Sequence, residues 1–291
     1  MSLNNMFFTD DRTKVIYFGV DGSVWHISGY GQGGEGAVLG VEPGGLYFPE
    51  LDQIWLESAR QLGGTYQGDT FPRREIDFEI QISGKTNREF MLRNRRWWEA
   101  WSTRVPGVLA MFTKTHGWRW IRVRLSGNVE PKWGKDPSLI KACDYDMTVT
   151  ADDPLWRSFR EKSHWINKGL SGNGVVQLEN MGSMDAFPEY TMPGPGQYSI
   201  QDGPDGRMIT LPPVKAGQTM RLDTHPLKLS LRVYDNQTGP DGRTAWKGLK
   251  TQRFRGSIPP GGRSRIRVSV TGGNANSQVF ATLSPGHYSP F

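Results

Sequence analysis

Arg74-Glu75-Ile76-Asp77-Phe78-Glu79-Ile80-Gln81-Ile82 alternates acid with oil. Glu75, Asp77 and Glu79 fall on one parity, and Ile76, Phe78, Ile80 and Ile82 on the other. A period of two sends each set to its own face of a β-strand. The stretch therefore predicts a strand with one core face and one acidic face. The acidic face stands out because the 291-residue chain carries a net charge of +6.

Two further stretches alternate in the same way. In Trp118–Leu125, Arg122 and Arg124 share a face, with Ile121, Val123 and Leu125 opposite. In Asp144–Thr150, Asp144 and Asp146 share a face, with Tyr145, Met147 and Val149 opposite. If these strands are neighbours, their charges pair across the sheet for roughly 0.2–1 kcal/mol each. The same face could instead line a space through which a polyanion slides without sticking. Both readings stay open at the level of the residues. Part of the charge contrast is regional. Residues 1–174 carry 22 Lys+Arg against 21 Asp+Glu, whereas residues 175–291 carry 13 against 8.

Outside these strands, 36 Gly and 19 Pro are spread among short Val/Ile/aromatic runs, which reads as all-β with many turns. Val15–Ile27 predicts a hairpin around Asp21-Gly22. Leu51–Leu62 carries a weak helical period. Thr86–Thr103 is the one clear helix. Thr86 or Asn87 can cap it, Glu89 sits in its first turn, and Pro106-Gly107 stops it. Phe90, Trp97, Trp98 and Trp101 form its apolar stripe, with Arg93, Arg95 and Arg96 around it. Val108–Phe112 predicts a further strand. Residues 161–174 read as a connector, charged and then Gly/Ser/Asn-rich. From Val175 onward, short strands and regular Gly-Pro turns predict a β-sandwich.

Enzymatic signatures are scarce. Gly29-x-Gly31-x-x-Gly34 matches the dinucleotide fingerprint as a string, but Pro43-Gly44-Gly45 breaks the helix that must follow it. It reads as a flexible or partner-clasping loop. The five histidines show no metal-ligand spacing. Cys143, the only cysteine, shares parity with Tyr145 and Met147 and reads as a buried thiol, and it excludes an intramolecular disulfide. Asp152-Asp153 before Pro154 reads as a turn. No metal and no cofactor is expected. The opening Met1–Lys14 lacks the pattern of a signal peptide, and no apolar run reaches the roughly 20 residues of a membrane span. A soluble protein made in a reducing cytoplasm is expected. The near-neutral first half argues against direct nucleic-acid binding by the Arg-rich helix.

Three stretches together resemble the distal tail protein of long non-contractile-tailed bacteriophages, in the form called minor tail protein in phages of actinobacteria. The first is Thr70–Trp156, with the alternating strand, the Trp-rich helix and the closing Ala151-Asp152-Asp153-Pro154-Leu155-Trp156. The second is Asn180–Pro188 (NMGSMDAFP), followed by Ile209-x-Leu211. The third is Phe254–Val270, where Ile258-Pro259-Pro260-Gly261-Gly262 precedes Ile266-x-Val268-x-Val270. The inserted carbohydrate-binding module of longer relatives is not seen.

The resemblance implies a mainly β chain with one prominent helix. Residues 1–160 would be a sandwich or barrel-like ring-forming domain, and 175–291 a galectin-like β-sandwich. It implies a homo-oligomeric ring, a hexamer, in the virion tail tip. Its neighbours would be the tail tube protein, the tape measure protein and the hub or baseplate proteins, with genomic DNA only in transit. On that reading Glu75, Asp77, Glu79, Asp144 and Asp146 are candidates for the lumen wall, where carboxylates would repel phosphates. Arg93, Arg95, Arg96, Trp97, Trp98 and Trp101 are candidates for an interface. The competing expectations are a carbohydrate-binding adhesion protein acting through the C-terminal sandwich and, more weakly, a cell-wall hydrolase, which would need two converging carboxylates.

Overall fold

The structure, a computed structural model, describes residues 11–132 and 134–291. Met1–Asp10, part of the expected first domain and of the stretch read as lacking a signal peptide, lies outside the described residues. The chain divides into two compact units. One runs through Arg157 and takes in Tyr288–Phe291, and the other is Ser158–His287. The fold is mostly β, as the sequence predicts.

The first unit contains β1 (Lys14–Phe18), β2 (Val24–Ser28), β3 (Ala37–Leu39), β4 (Asp52–Leu56), β5 (Thr65–Thr70), β6 (Arg74–Ser83), helix α1 (Asn87–Glu99), β7 (Gly107–Thr113), β8 (Gly117–Lys132), the short helix α2 (Pro137–Ile140), β9 (Ala142–Ala151) and β10 (Trp156–Arg157). Its main sheet runs in the order β2-β1-β7-β8-β9-β6-β3. The end strands β2 and β3 approach each other, so the sheet is nearly a closed barrel. β1 and β2 form the expected hairpin. The Asp21 carboxylate fixes its turn by accepting from the Ser23 N–H at 3.0 Å and the Ser23 hydroxyl at 2.6 Å.

The alternation in β6 does what its period demands. Ile76, Ile80 and Ile82 are fully buried and Phe78 nearly so, while Glu75, Asp77 and Gln81 are exposed. Cys143, Tyr145, Met147 and Val149 of β9 fill the same core, and Cys143 is a buried free thiol as read. Each such side chain contributes roughly 1.5–3 kcal/mol by leaving water.

Helix α1 starts where its cap predicts. The Thr86 hydroxyl accepts from the Glu89 N–H at 3.2 Å, and the Glu89 carboxylate accepts from the Lys85 N–H at 2.8 Å. The helix ends at Glu99, earlier than the Thr103 predicted. Trp101 leaves the helix to stack on Tyr17, with ring centroids 3.8 Å apart, and the Tyr17 hydroxyl donates to the Ala100 carbonyl at 2.8 Å. Aromatic packing thus overrides the remaining helical pattern.

The weak helical period in Leu51–Leu62 is not realised. Its first half is β4, which pairs only with β5 in a separate two-stranded sheet. Trp55 faces Tyr66 across the pair, with rings 5.5 Å apart. Apolar residues three and four apart imitate a helix over so short a window; cross-strand aromatic contact decides against it.

The second unit has two sheets around one core. Its strands are β11 (Glu161–Ile166), β12 (Ser171–Glu179), β13 (Glu189–Pro193), β14 (Gln197–Gln201), β15 (Met208–Thr210), β16 (Thr219–Asp223), β17 (Ser230–Tyr234), β18 (Arg243–Thr244), β19 (Arg263–Thr271) and β20 (Gln278–Leu283). One sheet is ordered β11-β20-β13-β16-β17-β18 and the other β12-β19-β14-β15. Ile266, Val268 and Val270 from the second sheet share a buried cluster with Tyr190, Met192, Met220 and Leu222 from the first. The expected connector 161–174 is structured instead: it holds β11 and the start of β12, paired in full register to β20 and β19. Its glycines serve close approach. A Cβ on Gly174 would stand 2.0 Å from the Trp165 indole nitrogen, and one on Gly172 2.3 Å from the Asn167 side chain.

Candidate functional site

The candidate acids come together on one exposed face of the first unit. β6 and β9 pair antiparallel, with Glu75 opposite Thr150, Asp77 opposite Thr148, Glu79 opposite Asp146 and Gln81 opposite Asp144. The Thr148 hydroxyl donates to Asp77 at 2.6 Å, and the Gln81 amide donates to Asp144 at 2.9 Å. Glu79 and Asp146 are like charges directly across a strand pair, an unfavourable arrangement by itself. Lys132 at the end of β8 resolves it, with its ammonium 2.8 Å from Asp146 and 2.5 Å from Glu79. The bonds to these two carboxylates, Asp146 foremost, hold the Lys132 pKa above the usual lysine range.

The expected basic neighbours, Arg122 and Arg124, are placed differently. Arg124 lies in the row of Thr150 and Glu75, but its guanidinium pairs with Asp152 at 2.6 Å. Arg122 stands opposite Val108 in β7. β8 extends well past the predicted Leu125 end and shifts register between Ser126 and Glu130. That shift brings Glu130 beside Asp146 and Lys132 beside Asp144. Lys132 thus answers Glu79 and Asp146, Arg73 pairs with Glu75 at 3.1 Å, and the acids of the two strands still outnumber these cations.

Arg74, at the head of the same strand, lies on the inward parity and is almost completely buried. Its guanidinium donates to five backbone carbonyls: Pro154 and Tyr288 at 2.7 Å, Gly45 and Leu46 at 2.9 Å, and Tyr47 at 3.0 Å. Burial pushes its pKa down to about 10, so it stays charged at neutral pH. Rings surround the same point: Phe48 lies 4.5 Å from Tyr288, and Tyr47 5.2 Å from Phe291. Arg119, also buried, donates to Ser289 at 2.8 Å and Phe291 at 2.9 Å. Arg74 thus ties the segment before the β4–β5 hairpin to the strand after it, and both arginines hold the C-terminal residues Tyr288–Phe291. An arginine on the apolar parity of an alternating strand was the available signal.

The candidate interface residues of α1 separate into two groups. Trp97 and Trp101 are buried in the chain's own core, where Trp97 meets Tyr17 and Trp25 edge to face at 5.8 and 5.1 Å. Trp98 packs edge to face on Tyr145 at 4.9 Å. The tryptophan stripe is therefore core: Trp97 and Trp101 belong to the unit's buried cluster and Trp98 packs against it. Arg93 bonds the Ser83 carbonyl at 2.9 Å and pairs with Glu89 at 2.8 Å. Arg95 pairs with Glu99 at 2.8 Å, and Arg96 lies over the Trp25 ring. Arg95 and Arg96 remain on the exposed face with Met91 and Leu92.

The β4–β5 hairpin, hereafter the arm, shows a group of apolar side chains to solvent. Every residue of β4 is exposed, and Ile54, Trp55, Leu56, Leu62 and Tyr66 face solvent. A lone two-stranded hairpin is at best marginally stable in water. This surface is missing from the sequence reading because its period does not alternate.

Other expected chemistry resolves into structure. The loop Gly29–Gly36 holds four glycines at positive φ, and Glu35 accepts from the His26 N–H at 3.0 Å. It opens no helix. Asp153 accepts from the Leu155 N–H at 3.2 Å and pairs with Arg157 at 2.6 Å, shaping the turn as read. Among the described residues, no cluster of His, Cys, Asp and Glu is placed to hold a metal ion. In the second unit Tyr190 and Tyr198 are buried and so offer no aromatic platform to a sugar.

No family model and no curated protein matches the sequence. Solved structures do match. The Dit (gp 19.1) protein of SPP1, described as a paradigm of the hub adsorption apparatus in phages infecting Gram-positive bacteria, is similar at a TM-score of 0.62 and 11% identity, over 93% of this chain and 98% of that one. A chain of the phage P2 baseplate in its activated conformation with Ca is similar at 0.51 and 12%, over 94% and 98%. A baseplate structure with Sr gives 0.50 and 11%, over 94% and 97%. Over 93% of its length, the chain has a fold like that of the SPP1 Dit protein.

Proposed function

We propose that this chain is a non-enzymatic structural component of a bacteriophage tail tip, located in the virion. It forms a hexameric ring that joins the tail tube to the hub and adsorption apparatus. The observation that carries this reading is the fold likeness over nearly the whole of both chains to a hub protein. In this reading the first unit closes the ring through heterologous contacts. The second unit is a galectin-like module that docks neighbouring tip proteins, and the tape measure protein and tail tube contact the ring.

Two features of the first unit support such an assembly. The arm shows its apolar side chains to solvent, as expected of a surface that a neighbouring copy would cover. The ladder of Glu75, Asp77, Glu79, Asp144 and Asp146 is an ordered acidic wall, suited to line a channel for DNA. Carboxylates repel phosphates, so transit stays free of the contacts that Lys and Arg would make.

Antibody labelling of virions tests the placement: the chain should be found at the tail tip, and label on the capsid or none on the particle contradicts it. The lumen role has a separate test. The triple substitution Glu75→Lys, Asp77→Lys, Glu79→Lys should leave particles assembled and slow DNA ejection. Normal ejection from normal particles removes the lumen role.

A further inference from the structure

The strongest unassigned feature is a polar basin in the second unit, of about 350 Å3, lined by Asp202, Arg207, Thr251, Arg253 and Arg255. Asp202 and Arg207 bracket the turn between β14 and β15, and the other three follow the turn of 3-10 helix Trp246–Leu249. This part of the chain holds the sequence's basic excess.

The arginines are not balanced by carboxylates. Among the described residues, no ion pair engages Arg207, Arg253 or Arg255. The one acid in the lining, Asp202, leaves the basin with an excess of positive charge and is held by backbone N–H groups. Asp202 accepts from the Arg255 N–H at 2.9 Å and the Gly256 N–H at 2.8 Å, so it shapes the loop that presents Arg255. Asp205 is the other acid of that turn and is exposed.

The basin is also partly preorganised. The Arg253 guanidinium donates to the carbonyls of Gln252 at 2.7 Å and Lys250 at 3.0 Å, and it lies over the Trp246 ring at 5.5 Å. Lys250 itself holds φ at 54° and ψ at −115°, a strained conformation for a lysine. Strain of this kind persists only where the surroundings fix it, and it concentrates at ligand clamps.

We propose that this basin binds a phosphoryl group, as free phosphate or as a phosphate ester. Arg207, Arg255 and Thr251 line the space with side chains that can donate, beside an Arg253 whose guanidinium is held by its own loop; together they offer more donors than a planar carboxylate can take. They suit a tetrahedral oxyanion with a charge near −2. The size admits the group together with a small polyol. The inference stands apart from ring formation and holds for a monomer as well as a ring.

Calorimetric titration of the full chain with inorganic phosphate, at fixed ionic strength, tests it. Saturable one-site binding is expected, falling roughly tenfold in Arg255→Gln and in Arg207→Gln. Arg207 is exposed and, among the described residues, engaged in no ion pair, so its substitution should leave the melting temperature unchanged. Glycerol phosphate as titrant separates the sources: binding equal to phosphate points to an ester, and absence of binding to free phosphate. Three results overturn the proposal: acetate binding as well as phosphate, wild-type affinity in both variants, or an equal loss in Arg243→Gln, whose arginine is paired with Asp235 outside the basin.

Discussion

β6 and β4 lie less than twenty residues apart in the same unit and have opposite relations to their surroundings. β6 buries every second side chain in its own barrel, while β4 buries none. One is flanked by β9 and β3; the other meets only its hairpin partner. An alternating pattern records burial inside the chain. A strand that buries nothing in its own chain has no such constraint, so its sequence shows no strand period.

The largest expected effect tests the inward side of β6. Arg74→Met should remove five hydrogen bonds from backbone carbonyls and cost about 3–5 kcal/mol, lowering the first unit's melting temperature by about 10 °C. Arg74→Lys should recover only part of this, because one ammonium cannot fork across five acceptors. A melting temperature unchanged by Arg74→Met would show that the buried guanidinium does not hold these segments together.

The arm gives the opposite expectation. Replacing residues 52–70 with a short Gly-Ser link should leave the first unit's melting temperature within a few degrees of wild type and abolish self-association, read by sedimentation. Loss of stability with association intact would mean that the arm belongs to its own chain's fold, and the contrast with β6 would fail.

Two smaller effects sharpen the reading of β6 and α1. Thr86→Ala removes the N-cap of α1 and should cost about 1 kcal/mol in urea denaturation. Lys132→Met leaves Glu79 and Asp146 opposed, with a modest loss that shrinks as salt rises. Its pH dependence has a definite sign. The Lys132 pKa is raised by folding, so its contribution is fully present below the usual lysine value and is lost progressively as pH rises from there through the higher folded-state value. A Lys132→Met difference that persists at high pH would show that packing, not charge, explains the loss.

Much of the barrel was legible because its signals are local. Alternation gave β6 and β9, Asp21-Gly22 gave the first hairpin, and Thr86 with Glu89 gave the start of α1. What was not legible depends on distant partners. The register shift in β8 gave the acids Lys132 instead of Arg122 and Arg124. The glycines of 171–174 look like a linker until Trp165 and Asn167 are seen against them. The tryptophans of α1 were candidates for an interface because a helical stripe does not say whether its partner is the chain's own barrel or another molecule.

The central claim is that the first unit closes into a ring through surfaces that its own chain leaves open. Native mass spectrometry of the purified full chain, combined with electron microscopy of the same sample, tests it most directly. The expected result is a hexamer with an open centre bordered by Glu75, Asp77 and Glu79. A monomer at every concentration tested, or an oligomer with a filled centre, would contradict the claim.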